Sequence, residues 1–413
     1  MAKGRAQDFC NFCGKPKSEA LILISGLDAH ICETCAEQAK IIADEELVRL
    51  KKKPTKRLKI SKPKAIKEAL DQYIIGQDEA KKAIAVAVYN HYKRLNQKVS
   101  DDEVEIEKSN ILVVGQTGTG KTLIAKTIAK QLDVPFTIVD ATTFTEAGYV
   151  GEDVESILSR LLQNCDFDVT QAERGIVYID EIDKITRKSD NPSITRDVGG
   201  EGVQQSLLKL LEGTEVLVPP HGGRKHPEQK LIKVDTKNIL FICGGSFDGI
   251  EKIIAKRTKA ASLGFKKREE HAEIESIKDN FYPFINHQDI KTFGLIPELL
   301  GRLPVLVHLN PLDKTALKSI LLEPKNALIK QYKKLFAIEN IELKINDDAI
   351  DLIVEKALEY KLGARGLRTI CEIIFNEAMY DLPSDDSIHK FELTRTYAEE
   401  KVNKSTIANL KAV

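Results

Sequence analysis

No run of apolar residues in this 413-residue chain approaches the length of a membrane-spanning helix; stretches such as 84–89 are broken within a few residues by polar groups. The first ten residues, MAKGRAQDFC, hold no apolar signal core. Long Pro or Gly tracts are missing too, which excludes a fibrous or low-complexity chain. So is net charge: Lys plus Arg is 62 and Asp plus Glu is 62, so no global field draws the chain to nucleic acid or an anionic membrane. What is there is 42% hydrophobic and 30% charged residues, over a length that suits roughly two to four domains with ample cores. The expectation is a cytoplasmic globular protein whose seven Cys are reduced thiols or metal ligands rather than disulfides.

Four of those Cys fall as Cys10-x-x-Cys13 and Cys32-x-x-Cys35, eighteen residues apart, the spacing of a tetrahedral structural zinc site. Gly14 gives the first turn a permissive backbone, and Leu21 to Ile24 reads as a short strand. So small a module cannot bury enough surface alone, so the metal would stabilise it. The alternative is four reduced core cysteines. With all four positions filled by sulfur, no ligand position stays open for catalysis. Cys165, Cys243 and Cys371 each sit in an apolar pattern and read as small core residues. Residues 51–64, KKKPTKRLKISKPK, hold eight basic residues, two prolines and no acid, a solvated linker. A basic run can touch phosphates, but no aromatic is interleaved here to stack on bases.

The chemistry starts at Ile111 to Val114, a β-branched apolar run typical of a strand covered on both faces. Gly115-Gln116-Thr117-Gly118-Thr119-Gly120-Lys121-Thr122 follows, then a helical pattern with Leu123, Ile124, Ile128 and Leu132. Strand, Gly-rich loop and helix stand in the order a phosphate-binding loop requires: glycines let N–H groups close around phosphate oxygens, and the helix start adds partial positive charge. Lys121 would reach the β and γ phosphates, and Thr122 would offer magnesium a hydroxyl. A second apolar strand, Ile176 to Ile179, ends in Asp180-Glu181 at what should be the ligand-binding edge of the same parallel sheet. Asp180 suits the magnesium shell, and Glu181 suits a base for an attacking water.

Two arginines extend the site. Arg302, in Gly301-Arg302-Leu303-Pro304, follows a short helix; it could satisfy that helix's last carbonyls or reach a neighbouring subunit's γ-phosphate. Arg365, in Gly363-Ala364-Arg365-Gly366-Leu367-Arg368, opens a helix, where a cation has the wrong sign for the dipole. A nucleotide phosphate would offset that.

The Cys module, GQTGTGKT, IVYIDE, GRLP and GARGLR occur in the order found in the ClpX family of AAA+ protein unfoldases of the Clp protease, and the chain resembles that family over nearly its whole length. The resemblance implies an α/β AAA+ P-loop NTPase with a parallel sheet, a small helical C-terminal domain and an N-terminal treble-clef-like zinc module. It implies a homohexamer that hydrolyses ATP with Mg2+, unfolds tagged proteins, sometimes brought by adaptors on the zinc module, and threads them into the ClpP peptidase. In those terms Lys121, Glu181, Arg302 and Arg365 match the phosphate lysine, catalytic glutamate, arginine finger and second sensor arginine. The nucleotide would meet Gln116, Thr117, Gly118, Thr119, Gly120, Lys121, Thr122 and Leu123, with Ile75, in Ile74-Ile75-Gly76-Gln77, beside the base. The family's loop more often reads Gly-Pro-Thr-Gly-Ser-Gly-Lys-Thr; Gln116 and Thr119 depart from it where backbone does the binding, so little effect is expected. The first sensor is unsettled, with Ser246 a candidate.

Three loops bear on the resemblance. Tyr149 and Val150, between glycines and before a helix expected near Glu152, match a pore loop that grips polypeptide; otherwise Tyr149 packs on the domain surface. Arg224, Lys225 and His226, at a hairpin tip between 215–218 and 231–234, match a tripeptide rimming the pore; otherwise they form a solvated turn. Arg196 resembles part of a second pore loop. Leu263-Gly264-Phe265, apolar anchors in a charged segment, resemble the loop that docks on ClpP; otherwise they make a local helical contact. The expected domains are 1–50 (zinc), 51–64 (linker), 65–311 (large α/β ATPase) and 312–413 (small, mainly helical), the last with a short strand or turn at Ile345 to Asp348. The competing function is a zinc-bearing AAA+ nucleic-acid motor or clamp loader, which the zero net charge and aromatic-free basic run disfavour.

Overall fold

The computed structural model describes residues 9–51, 60–97, 104, 106–145, 152–186, 200–219, 231–261, 280–360, 363–385 and 387–404. The chain divides into two compact units, Met1–Arg57 and Leu58–Val413. In the first, β1 (Leu23–Ser25) pairs antiparallel with β2 (His30–Cys32), and α1 (Glu33–Lys51) follows. The strand expected at Leu21 starts two residues later, and Leu21 is fully exposed. Among this unit's residues whose side chains are described, only Cys10 and Cys32 are buried, so those residues form no apolar core.

The second unit opens with α2 (Pro63–Asp71), its start fixed by a proline whose missing N–H costs nothing there, and α3 (Asp78–Asn96). Then come β3 (Ile111–Val114), α4 (Lys121–Leu132), β4 (Phe136–Asp140), α5 (Ser156–Gln163), α6 (Val169–Ala172) and β5 (Ile176–Asp180). Next are α7 (Glu201–Glu212), the antiparallel pair β6 (Glu215–Val218) and β7 (Ile232–Asp235), β8 (Leu240–Gly245) and α8 (Ile250–Ala261). The short helices α9 (His287–Phe293) and α10 (Pro297–Gly301) lead to β9 (Val305–His308). The expected start near Glu152 is corrected: Glu152 bridges Phe144, and α5 begins at Ser156.

Five strands form one all-parallel sheet in the order β4-β5-β8-β3-β9. Alternation along β3 sends Leu112 and Val114 into a core with α5, α7 and α8, and Ile111 and Val113 into a second core with α2, α3 and α4. Covered on both faces, the strands read as continuous apolar runs. Within α4, Ile124, Ile128 and Leu132 are buried, whereas Leu123 faces out.

A third core gathers α11 (Lys314–Leu322), α12 (Leu328–Ile338), α13 (Asp347–Glu359), α14 (Gly363–Asp381) and α15 (Arg395–Lys404) around a parallel pair, β10 (Glu342–Ile345) and β11 (Lys390–Leu393). The short strand or turn expected at Ile345 to Asp348 is corrected: the strand runs Glu342–Ile345, overlapping it only at Ile345, and Asp347 already opens α13. Among the described residues no helix is long and apolar enough to cross a membrane.

Candidate functional site

In a parallel sheet every strand delivers its carboxyl end to the same edge, and the chemistry-bearing residues meet there. Gly118 and Gly120 take positive φ, 84° and 104°, which bends the loop after β3 onto the start of α4. Gly115 cannot carry a side chain, because a Cβ would lie 2.9 Å from the Leu309 Cβ. Lys121, nearly buried, turns its ammonium back onto the carbonyls of Gly115 and Gln116, at 2.5 and 3.0 Å. Burial pushes this ammonium below its usual pKa; Asp180 and Asp183 oppose the shift, and the Arg365 charge adds to it.

Thr122 donates its hydroxyl to Asp180 Oδ2 at 3.0 Å, joining the loop helix to the end of β5. The other Asp180 oxygen accepts from the Tyr178 phenol at 3.2 Å and from the Glu181 N–H at 3.1 Å. A Cβ at Gly244, on neighbouring β8, would collide with that phenol, so the glycine makes room for the arm that orients Asp180. Glu181 is exposed, with φ 57° in the left-handed region, a strained backbone for a non-glycine residue. These donors suit a hydrated magnesium ion: a hydroxyl and a carboxylate already share a hydrogen bond beside a lysine. Such an ion would neutralise phosphate charge, with Thr122 and Asp180 holding it.

Asp183 escaped the reading of the sequence. It is buried, and its carboxylate accepts the Ser246 N–H at 3.1 Å and lies 3.2 Å from the Ser246 hydroxyl, which is also 2.9 Å from Asp248. The only hint in sequence was a third acid two places beyond Glu181. Ser246 thus stands at the end of β8 within an acidic pair.

The C-terminal elements close on this edge. Gly363, at the start of α14 with φ 58°, faces the loop: a Cβ there would lie 3.2 Å from the Thr117 carbonyl. Arg365, exposed in the first turn of α14, is thereby placed on the phosphate-loop side. Ile75 is half-buried in the turn between α2 and α3. Arg302 lies elsewhere, at the amino edge of the sheet, where its carbonyl accepts from Asn110, the residue before β3. Its guanidinium pairs with Glu212 at 3.0 Å, and its backbone N–H, not its side chain, bonds the last turn of α10.

In the first unit the four sulfurs of Cys10, Cys13, Cys32 and Cys35 lie within 4.8 Å of one another, and Cys13 and Cys32 are 3.7 Å apart. A tetrahedron with bonds of about 2.3 Å has edges of about 3.8 Å, so the set fits zinc. Burial alone would raise the Cys10 thiol, but N–H donors from Cys32, Cys13 and Phe12 outweigh it and bring it down to about 6. Hydrogen bonding with Cys13, burial and the other sulfurs push Cys35 up to about 12. Four sulfurs this close cannot all ionise without a cation, and zinc supplies one. Cys165, Cys243 and Cys371 are buried in the second unit. Tyr149, Val150, Arg196, Arg224, Lys225, His226, Leu263, Gly264 and Phe265 lie outside the described residues.

Comparison with known families matches residues 8–45 to the ClpX C4-type zinc finger, 106–306 to the AAA domain (Cdc48 subfamily) and 312–395 to the C-terminal, D2-small domain of ClpB protein. The chain is 58% identical over 415 residues to the ATP-dependent Clp protease ATP-binding subunit ClpX of Bacteroides thetaiotaomicron, covering 100% of both chains. It is 57% identical over 406 residues to that of Porphyromonas gingivalis, with 98% of each chain covered. With that of Bacteroides fragilis it shares 58% over 406 residues and 97% of each.

Proposed function

Because this chain belongs to the ClpX family, and is therefore an AAA+ ATPase rather than a peptidase, we propose that it works as a homohexamer that unfolds tagged proteins and feeds them to ClpP. One observation carries the chemical part: Lys121, Thr122, Asp180 and Glu181 share one sheet edge, with Thr122 and Asp180 already hydrogen-bonded at 3.0 Å. Lys121 and the loop N–H groups hold the phosphates, and Glu181 takes a proton from the attacking water. Arg365, on the small-domain side, senses the phosphates across the site. Arg302 stands at the opposite sheet edge from its own phosphate loop, which suits a reach into a neighbouring subunit. Zinc on the four cysteines holds the first unit together, and adaptors or tagged substrates dock on that unit.

The pore roles of Tyr149, Val150, Arg196, Arg224, Lys225 and His226, and the docking role of Leu263-Gly264-Phe265, rest on the family resemblance. Tyr149→Ala is expected to keep ATP turnover and lose unfolding of stable substrates. Phe265→Ala is expected to keep unfolding and lose delivery, read as peptide release with ClpP present.

The central test follows ATP-driven loss of native fluorescence from a tagged green fluorescent protein, beside Glu181→Gln and with single-stranded DNA as a competing stimulus. The intact chain should extinguish the fluorescence. Glu181→Gln should bind ATP but turn it over roughly 10²–10⁴-fold more slowly, the range general-base removal covers. Persistent fluorescence together with DNA-stimulated hydrolysis would transfer the assignment to a nucleic-acid motor.

A further inference from the structure

Asn310 is the residue at which the ATPase sheet hands the chain to the C-terminal helices. Just before it, the Leu309 N–H donates to the Val114 carbonyl at 2.8 Å, and Leu309 packs against Gly115, the first residue of the phosphate loop. Just after it, Pro311 and Leu312 lead to Asp313, whose side chain caps α11. Neither backbone group of Asn310 belongs to the sheet ladder. Both are taken instead by one side chain: Gln77 Nε2 donates to the Asn310 carbonyl at 2.8 Å, and Gln77 Oε1 accepts the Asn310 N–H at 2.8 Å. Two reciprocal bonds between a carboxamide and a peptide fix both distance and orientation, as one bond could not. The Asn310 side chain is held as well, its Oδ1 accepting from Asn280 at 3.0 Å.

Gln77 itself is positioned by strain. It precedes α3 with φ 59°, directly after Gly76 at φ 62°, and a glutamine adopts this left-handed backbone at a cost. A second tie runs alongside, from the Lys325 N–H to the Gln72 carbonyl at 2.8 Å. The turn expected to lie beside the base is therefore fastened to the joint between the sheet and the C-terminal helices.

We propose that Gln77 is a positioning residue of the ATPase: by clamping the Asn310 peptide to the turn at 74–77, it couples nucleotide occupancy to the orientation of the C-terminal helices. This rests on the reading of 74–77 as the segment beside the base. A nucleotide that orders this turn stabilises the clamp. A rotation that pulls Asn310 away disturbs the turn and weakens nucleotide binding by the same factor.

The test uses the full-length chain and two substitutions. Gln77→Asn tolerates the left-handed backbone but is one methylene too short to hold both Asn310 groups. Gln77→Gly removes the strain and the clamp together. In both, KM for ATP should rise about tenfold, as expected for losing two hydrogen bonds of ordinary strength, while kcat changes by less than about twofold. The Asn310 amide should also exchange with deuterium faster than in the unsubstituted protein, in the absence of nucleotide as well as with it. Unchanged KM and unchanged Asn310 exchange in Gln77→Asn overturn the proposal, as does a lowered melting temperature with no change in KM, the mark of a purely structural residue. Ile75→Ala, run in parallel, should raise KM as well. If it does not, the placement of the base has failed, and the nucleotide-free Asn310 exchange separates that result from a failure of the clamp.

Discussion

His91 is almost wholly enclosed on α3, where its Nε2–H donates to the Asn238 carbonyl at 3.1 Å. Burial, with the Arg94 and Lys108 charges adding to it, pushes the imidazole from 6.5 down to about 3. Between those values the unfolded chain takes up a proton that the folded chain refuses, so this residue drains stability as pH falls. By pH 5 the loss is about 2 kcal/mol. Urea unfolding at pH 7 and pH 5 measures it: His91→Gln should lose about that much less than the unsubstituted chain over the same interval. The residues at the phosphate edge could be grouped from sequence because an eight-residue loop and a strand end carry their own spacing. Asp183 could not, since its partner Ser246 is delivered by β8, paired from some sixty residues away. Gln77 was noticed only as part of a resemblance; nothing local says that its carboxamide meets Asn310.

At the scale of elements, α14 ties the C-terminal core to the phosphate loop. Its first residue, Gly363, combines positive φ with close approach to the Thr117 carbonyl, so the helix start and the phosphate loop are set against each other by a residue without a side chain. Gly363→Val would meet both obstacles, a β-branched residue in a left-handed backbone and a clash with the loop. At roughly 1–2 kcal/mol of strain, that substitution should weaken ATP binding several-fold to tenfold or more, read by nucleotide titration, with little change in the zinc unit. β4, whose burial alternates, was not read at all, whereas β3 and β5 were legible because they are continuous buried apolar runs. Short elements were not: β10 and the start of α5 are shifted by a few residues from expectation, because an isolated bridge at Glu152 and a parallel partner at β11 decide them. The last turn of α10 likewise uses the Arg302 backbone, while the guanidinium goes to Glu212.

Across the whole molecule, the two compact units keep their stability in different currencies, sulfur and metal in one, apolar burial in the other. A chelator added to the full chain should therefore expose four thiols to a disulfide reagent and leave the thermal transition of residues 58–413 in place. Cys165, Cys243 and Cys371, all buried, should react only once that transition is passed. The zinc module could be read from cysteine spacing, the ATPase from its phosphate-loop motif and the helical C-terminal part from its apolar period, but the strand order could not, because none of these says which strands β3 will lie between. That order sets a timetable for synthesis. β3, with the phosphate loop at its end, is made early, yet its flanking partners are β8 and β9, the latter about 200 residues later. At roughly 5–20 residues per second, a ribosome takes about 10–40 s to supply that last strand. β8 is made about two-thirds of the way through that wait, and until β9 follows it the strand that carries the phosphate loop has one edge without its partner.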